Sequence, residues 1–387
     1  MGARNLVTCL GIAAILQGCV STETVVKQPY PVLRDDLFPS YTLFEPESEE
    51  TIFALDEDAA AFVKSTQSPH DNYESNIRNL VDNIFDYSSL GLQYRGSANS
   101  TASETFHMQT ANCLSLSIMT FSMAEHAGFD AQFYEVDIPE YWTRRAGYSL
   151  LNGHLNLRIT TPKEMNITRM KEDFVDVDFD PQAVREYFPR YKVSKDVVLS
   201  MFYNNKGADA LIANSYSKAY AYFRKAALLS PQLSQSWGNL GILYRKVDAY
   251  DAAEVAYKRA LELEEDNLTA WENLAILYRF QGRNDEANAI AAKVERRRDN
   301  NPFYHYMLGE EALADNNYDE ALVHYRRAMR LDDSRHEIWF GLAKTYFQLG
   351  DISRAKAYIE KAARYAPNAQ DENRYLSKLS TLHSRVN

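Results

Sequence analysis

Cysteine is scarce in this chain, three in 387 residues. Two of them, Cys9 and Cys19, lie in an N-terminal apolar stretch, so Cys113 stands alone in everything that follows. That excludes a disulfide framework within the folded part, and a four-cysteine metal site with it. Positive charge is also short: 42 Lys and Arg face 53 Asp and Glu, a formal net charge of −11. Nucleic acid needs a basic face to displace its counterions, so that class of partner is excluded. Glycine and proline are few, 15 and 12, while 45% of residues are hydrophobic. A collagen-like chain and wholesale disorder are ruled out, and the length leaves room for two or three globular domains. The charge is unevenly placed. Residues 1–199 carry 16 basic and 28 acidic groups (net −12), residues 200–387 carry 26 and 25 (net +1), so two differently built halves are expected.

The apolar run from Leu6 to Leu16 is eleven residues long, with Arg4 ahead of it. Spanning a bilayer takes about 20 residues, so this run has the length of a signal-peptide core instead. It ends in Leu16-Gln17-Gly18-Cys19, which resembles the lipobox of bacterial lipoproteins. The resemblance implies a signal peptide over 1–18, cleavage before Cys19 and acylation of Cys19. Several acyl chains, at about 0.8 kcal/mol per buried CH₂, would hold a soluble body on a membrane. Val20 after the cysteine, by the same resemblance, implies the outer membrane of the bacterial cell envelope, facing the periplasm. Residues 19–50 contain Pro29, Pro31, Pro39 and Pro46 with the acidic cluster Glu45, Glu47, Glu49 and Glu50, and read as an extended tether.

The second half repeats every 34 residues. Trp237, Trp271 and Trp339 share one phase, with His305 at the place of the missing tryptophan. Leu240, Leu274, Leu308 and Leu342 follow three residues later, and Ala253, Ala287, Ala321 and Ala355 sixteen later. This matches the tetratricopeptide pattern of paired antiparallel helices that interlock small residues with aromatic ones. Five repeats are predicted over 200–369, with a capping helix over 370–387 to cover the last apolar face. The aromatic and alanine positions are core, and the Arg296-Arg297-Arg298 run reads as a solvated helix face. A protein or peptide partner would lie against the first helices of the repeats.

Residues 51–199 mix helix and strand signals. Ile77, Leu80, Val81, Ile84 and Phe85 recur at helical spacing over about 72–87. Asn112 can cap a helix from Cys113 to about Ala127, stopped by Gly128. A strand is predicted over 131–138, a loop over 139–153, then strands in which Leu155, Leu157 and Ile159 alternate with His154, Asn156 and Arg158, and Val175, Val177 and Phe179 with Asp176, Asp178 and Asp180. The thiol at a helix start is set to ionise, because unpaired N–H groups and the helix dipole favour thiolate. His154 could move the proton and Asp178 could orient the imidazole. The Asp176–Asp180 run also has the opening of a calcium loop, but Pro181 and Tyr187 replace the required glycine and glutamate. Trp142, Arg144 and Arg145 fall in the predicted loop as possible cleft residues.

The run Thr101-Ala-Ser-Glu-Thr-Phe106 with Asn112-Cys113-Leu114-Ser115-Leu116-Ser117 resembles the nucleophile segment of bacterial transglutaminase-like proteins fused to tetratricopeptide repeats. Gly153-His154-Leu155 and Phe174-Val175-Asp176-Val177-Asp178 are similar to that family's second and third segments. Ala111 departs from the family's usual glycine. The resemblance implies an α+β transglutaminase-like (papain-like) domain over 51–199, followed by an all-α tetratricopeptide solenoid. Its catalytic residues would be Cys113, His154 and Asp178, with Asp176 as the alternative acid and Gln109 as a candidate oxyanion donor. No metal or cofactor is implied. The expected function is thiol-dependent amide hydrolysis or acyl transfer on an amide-bearing envelope substrate. The alternative is a non-catalytic lipoprotein scaffold that uses the repeats to bind proteins.

Overall fold

The computed structural model describes residues 31–85, 93–94, 96, 98–145, 148–162, 174–178, 188–366 and 369–384. The N-terminal body opens with helices α1 (Glu49–Phe53), α2 (Glu57–Ser65) and α3 (Tyr73–Phe85). Strand β1 (Gln93–Tyr94) pairs in parallel with β2 (Thr110–Ala111), and helix α4 (Ala102–Met108) lies between them in sequence. Helix α5 (Cys113–His126) follows, stopped by Gly128 in the left-handed region at φ 82°. Ile77, Leu80, Val81 and Ile84 of α3 are buried with Ile118, Met119 and Met123 of α5. The apolar period is what drives this face inward.

A four-stranded antiparallel sheet backs the helices, in the order β5 (Phe174–Val177), β4 (Tyr148–Thr160), β3 (Asp130–Arg145), β6 (Arg190–Val193). Phe121 of α5 stacks on Phe133 of β3, centroids 4.5 Å apart, and fixes the helix against the sheet. The predicted loop over 139–153 is absent. Pairing resumes at Tyr141↔Asn152 after an irregularity past Val136 and runs on to Arg145↔Tyr148, so a long hairpin projects from the sheet. Asp137 and Pro139 interrupt the sequence alternation there, but Tyr141, Trp142 and Thr143 are strong strand formers.

Five antiparallel helix pairs follow: α6 (Lys195–Ile212) with α7 (Tyr216–Leu229), α8 (Ser234–Lys246) with α9 (Tyr250–Leu263), α10 (Leu268–Phe280) with α11 (Asn284–Arg298), α12 (Pro302–Ala314) with α13 (Tyr318–Leu331), and α14 (His336–Gln348) with α15 (Ile352–Arg364). Helix α16 (Ala369–Ser384) closes the stack. Small residues allow the close approach: a Cβ on Gly241 would stand 2.5 Å from the Tyr257 ring, and Gly207 meets Phe223 in the same way. The tryptophans also bond alike. Each donates its indole N–H to a carbonyl six residues back, Trp237 to Pro231, Trp271 to Glu265 and Trp339 to Asp333, at 2.8–2.9 Å. His305 keeps this bond, its Nε2 2.9 Å from the Asp299 carbonyl oxygen, which explains how imidazole serves at that place. Its ring stacks on His324, whose pKa is pushed down by burial and then by the neighbouring His305. Trp271 is half-buried, unlike the buried Trp237 and Trp339.

Three further sequence expectations are corrected by how the halves join. From residue 31 onward the expected tether is a packed segment, because Val32, Leu33 and Phe38 supply apolar anchors between its prolines. Phe38 stacks on Tyr220 at 4.7 Å, and the Asp35 carboxylate accepts from the Tyr220 hydroxyl (2.6 Å) and Arg224 Nε (2.9 Å). Glu47 likewise accepts from the Tyr222 hydroxyl at 2.9 Å and pairs with Lys206. The arginine run is not wholly a solvated face either. Arg298 is 1% exposed, with Nε 2.8 Å from Glu140 and Nη1 2.9 Å from Glu272. Trp142, predicted as a cleft residue, packs instead on Tyr304 and under the Arg298 guanidinium. The hairpin is thus seated on the repeats along β3, where Asn301 Nδ2 also donates to the Glu140 carbonyl at 2.7 Å.

Candidate active site

Asn112 begins α5. Its side-chain oxygen accepts from the Ser115 N–H at 2.8 Å, satisfying one of the donors a helix start leaves open. Cys113 therefore occupies the first helical position, half-buried, at the positive end of the dipole. Its Sγ lies 3.7 Å from the Gly153 carbonyl oxygen, and one turn on the Ser117 hydroxyl donates to the Leu155 carbonyl oxygen at 3.4 Å. These two fastenings bracket His154. The sequence pattern sets His154 on a polar strand face, but the residue is 2% exposed, since this stretch of β4 is covered on both faces.

His154 Nε2 is 2.9 Å from Asp178 Oδ1, an ion-pair distance without the alignment of a straight hydrogen bond. The other Asp178 oxygen accepts from Asn156 Nδ2 at 3.2 Å. The chain thereby brings imidazole and carboxylate together and lays the thiol along the same strand, one residue from the histidine. Asp176, on the same strand face, is committed elsewhere. It takes Arg158 at 2.7 and 2.9 Å and Arg190 at 3.0 Å. Burial opposes its charge, yet the two guanidiniums hold its carboxyl below the usual range. The geometry therefore distinguishes two aspartates that the alternation alone could not.

Gln109 ends α4 in the left-handed region at φ 51°, exposed, and its backbone N–H donates to the Thr105 carbonyl oxygen. No described contact joins its side chain to Cys113. Cys19 and residues 1–30 lie outside the described residues, as do Phe179, Asp180, Pro181 and Tyr187. Arg145 reaches Asp209 of α6. Sequence reasoning misses Asn156, although its position two residues after His154 on one strand puts it on the same face.

The tetratricopeptide repeat family model matches residues 234–267 and 312–380. Tetratricopeptide repeats are thus present in the second half of the chain, in the region of the 34-residue phase. Protein bimA of Emericella nidulans is 27% identical over 92 residues, 23% of this chain; the match spans about a tenth (11%) of that relative's length. Among solved structures, YrrB, a tetratricopeptide protein with an unusual peptide-binding site, is 17% identical and covers 46% of this chain and 92% of its own, with a TM-score of 0.26. A thermophilic tetratricopeptide protein of Thermus thermophilus is 22% identical, covering 46% and 98%, with a TM-score of 0.31. Pseudomonas aeruginosa pilF is 15% identical, covering 50% and 94%, with a TM-score of 0.29.

Proposed function

We propose that the protein is a scaffold whose repeats hold a partner protein along their first helices, on a body that is docked to them at both ends. The observation that supports this reading is the stack of five helix pairs, since such stacks present a continuous surface beyond their own core. A photo-crosslinking residue at Ile242 or Ile276, half-buried on first helices, should yield one discrete protein adduct in cells. The same residue at Val255 or Val323, exposed on second helices, should not. Equal labelling from all four positions would sink the proposal.

The scaffold would be held at the bacterial envelope by acylation of Cys19, a reading supported by the lipobox-like Leu16-Gln17-Gly18-Cys19. Cys19→Ser should move the protein from the membrane fraction to the soluble fraction. Unchanged membrane recovery and normal processing would exclude the anchor.

A second reading, thiol-dependent amide chemistry of the transglutaminase-like kind, is favoured by the 2.9 Å His154–Asp178 contact beside the Cys113 helix start. In it the Cys113 thiolate attacks an amide carbonyl carbon and forms a thioester. The C–N bond breaks as His154 delivers a proton to the departing amine. Water then attacks the thioester, His154 takes its proton and returns it to sulfur, and a carboxylic acid leaves. Asp178 keeps the imidazole oriented and stabilises its cation. The released groups balance amide plus water.

A further inference from the structure

Cys113 sits on a helix start, and part of what holds that start comes from the other half of the chain. Asn112 has two side-chain ends. Its oxygen caps α5 at Ser115, and its Nδ2 donates to Asn99 Oδ1 at 2.6 Å. Asn99 in turn donates from Nδ2 to Asp209 Oδ2 at 2.7 Å, and Asp209 lies on α6, the first helix of the first repeat. The remaining Asp209 oxygen is taken by Arg145 of the hairpin. Lys206, one turn earlier on α6, donates to the Asn99 carbonyl at 3.4 Å, so Asn99 is gripped at both its side chain and its backbone. The loop beside it is knitted to α5 as well: Ser115 Oγ accepts from the Ser100 N–H at 3.0 Å and donates to the Ala98 carbonyl at 2.9 Å.

An asparagine amide caps a helix only when its oxygen, and not its NH₂, faces the open N–H groups. Asn99 does this by offering an acceptor to the Asn112 NH₂, which leaves the oxygen for Ser115. Asn99 is itself fixed because Asp209 accepts only and so demands its NH₂. The Gly96 carbonyl, 3.5 Å from Asn112 Nδ2, favours the same orientation, and the relay adds to it a carboxylate on a repeat helix. We propose that Asp209 is a positioning residue for Cys113. Through Asn99 it steadies the Asn112 cap and with it the start of α5 that carries Cys113. This rests on the thiol chemistry proposed above, and it makes the first repeat part of the site rather than an appended binding module.

The test uses the full chain with Asp209→Asn and, separately, Asn99→Leu, which removes the middle of the relay and leaves the Asp209–Arg145 pair. Two readouts are taken: hydrogen exchange of the Ser115 amide, and the pH midpoint of Cys113 alkylation by iodoacetamide. Both variants should speed Ser115 exchange by about fivefold to tenfold and raise the midpoint by about half a pH unit. Exchange in α14 and α15 should be unchanged, and Asp209→Glu should restore part of both effects. A wild-type midpoint well below that of a free thiol, with neither readout moved by either variant, overturns the proposal. An ordinary midpoint in the wild type, with faster Ser115 exchange in the variants, keeps the anchoring and defeats the acyl chemistry instead.

Discussion

Arg298→Met should destabilise the chain by roughly 3 kcal/mol, the lower end of the cost of breaking a buried ion pair. The guanidinium is 1% exposed, but its partners Glu140 and Glu272 are 24% and 42% exposed, and water discounts part of the loss. What remains is two carboxylates that converge on an empty space, and a hairpin that has lost its strongest tie to α11. A double variant with Glu140→Gln should cost less than the two single changes added, by about 1–2 kcal/mol, because the groups share one contact. Arg297→Ala, next in sequence, should stay within about 0.5 kcal/mol, since its Asp266 pair is 55% and 75% exposed. Urea denaturation of the full chain reads the four variants against the unmodified protein. Equal midpoints for the Arg298 and Arg297 variants would show that the dock contributes nothing.

His154→Ala should slow iodoacetamide alkylation of Cys113 at pH 6 by about two orders of magnitude. A free thiol with pKa ~8.5 is only a few thousandths ionised there, and loss of the imidazole should return Cys113 toward that state. Asp178→Asn should be milder, about tenfold, because it loosens the ring without removing the cation. Combining the two should add little to the histidine variant, as the groups act as a unit. Asp176→Asn should leave the rate alone and lower stability, because it cuts the clasp with Arg158 and Arg190. The carboxyl of Asp176 is held below its unfolded value, so this clasp is complete above the unfolded carboxylate range. It is lost as the pH falls through the depressed native value. If Asp176→Asn slows alkylation and Asp178→Asn does not, the acid partner is misassigned.

Much of this arrangement is legible one element at a time. The 34-residue phase locates the repeats because each repeat must bury the same small and aromatic pairs, such as Gly241 on Tyr257. The helix at Cys113 is legible because Asn112 and Gly128 mark its two ends with local chemistry. The joins between the halves leave no such mark. Glu140 meets Arg298 across 158 residues and Asp35 meets Arg224 across 189, so a surface-like charge in sequence becomes a buried one only in the fold. Proline suggests a tether over residues 19–50, but from residue 31 onward Val32, Leu33 and Phe38 decide the outcome, since their apolar surface finds a repeat face to cover. The hairpin is hidden for a related reason. Its outer half is stabilised by Tyr304, Phe303 and Arg298 rather than by its own alternation.

Whether the repeat scaffold also carries chemistry is tested most directly by the rate of Cys113 alkylation in the unmodified protein as a function of pH, followed by mass spectrometry of the Cys113 peptide. The thiol, imidazole and helix start together predict fast reaction already below pH 7. A slow reaction rising only near pH ~8.5, or none until the chain is unfolded, would contradict it and leave a protein-binding scaffold alone.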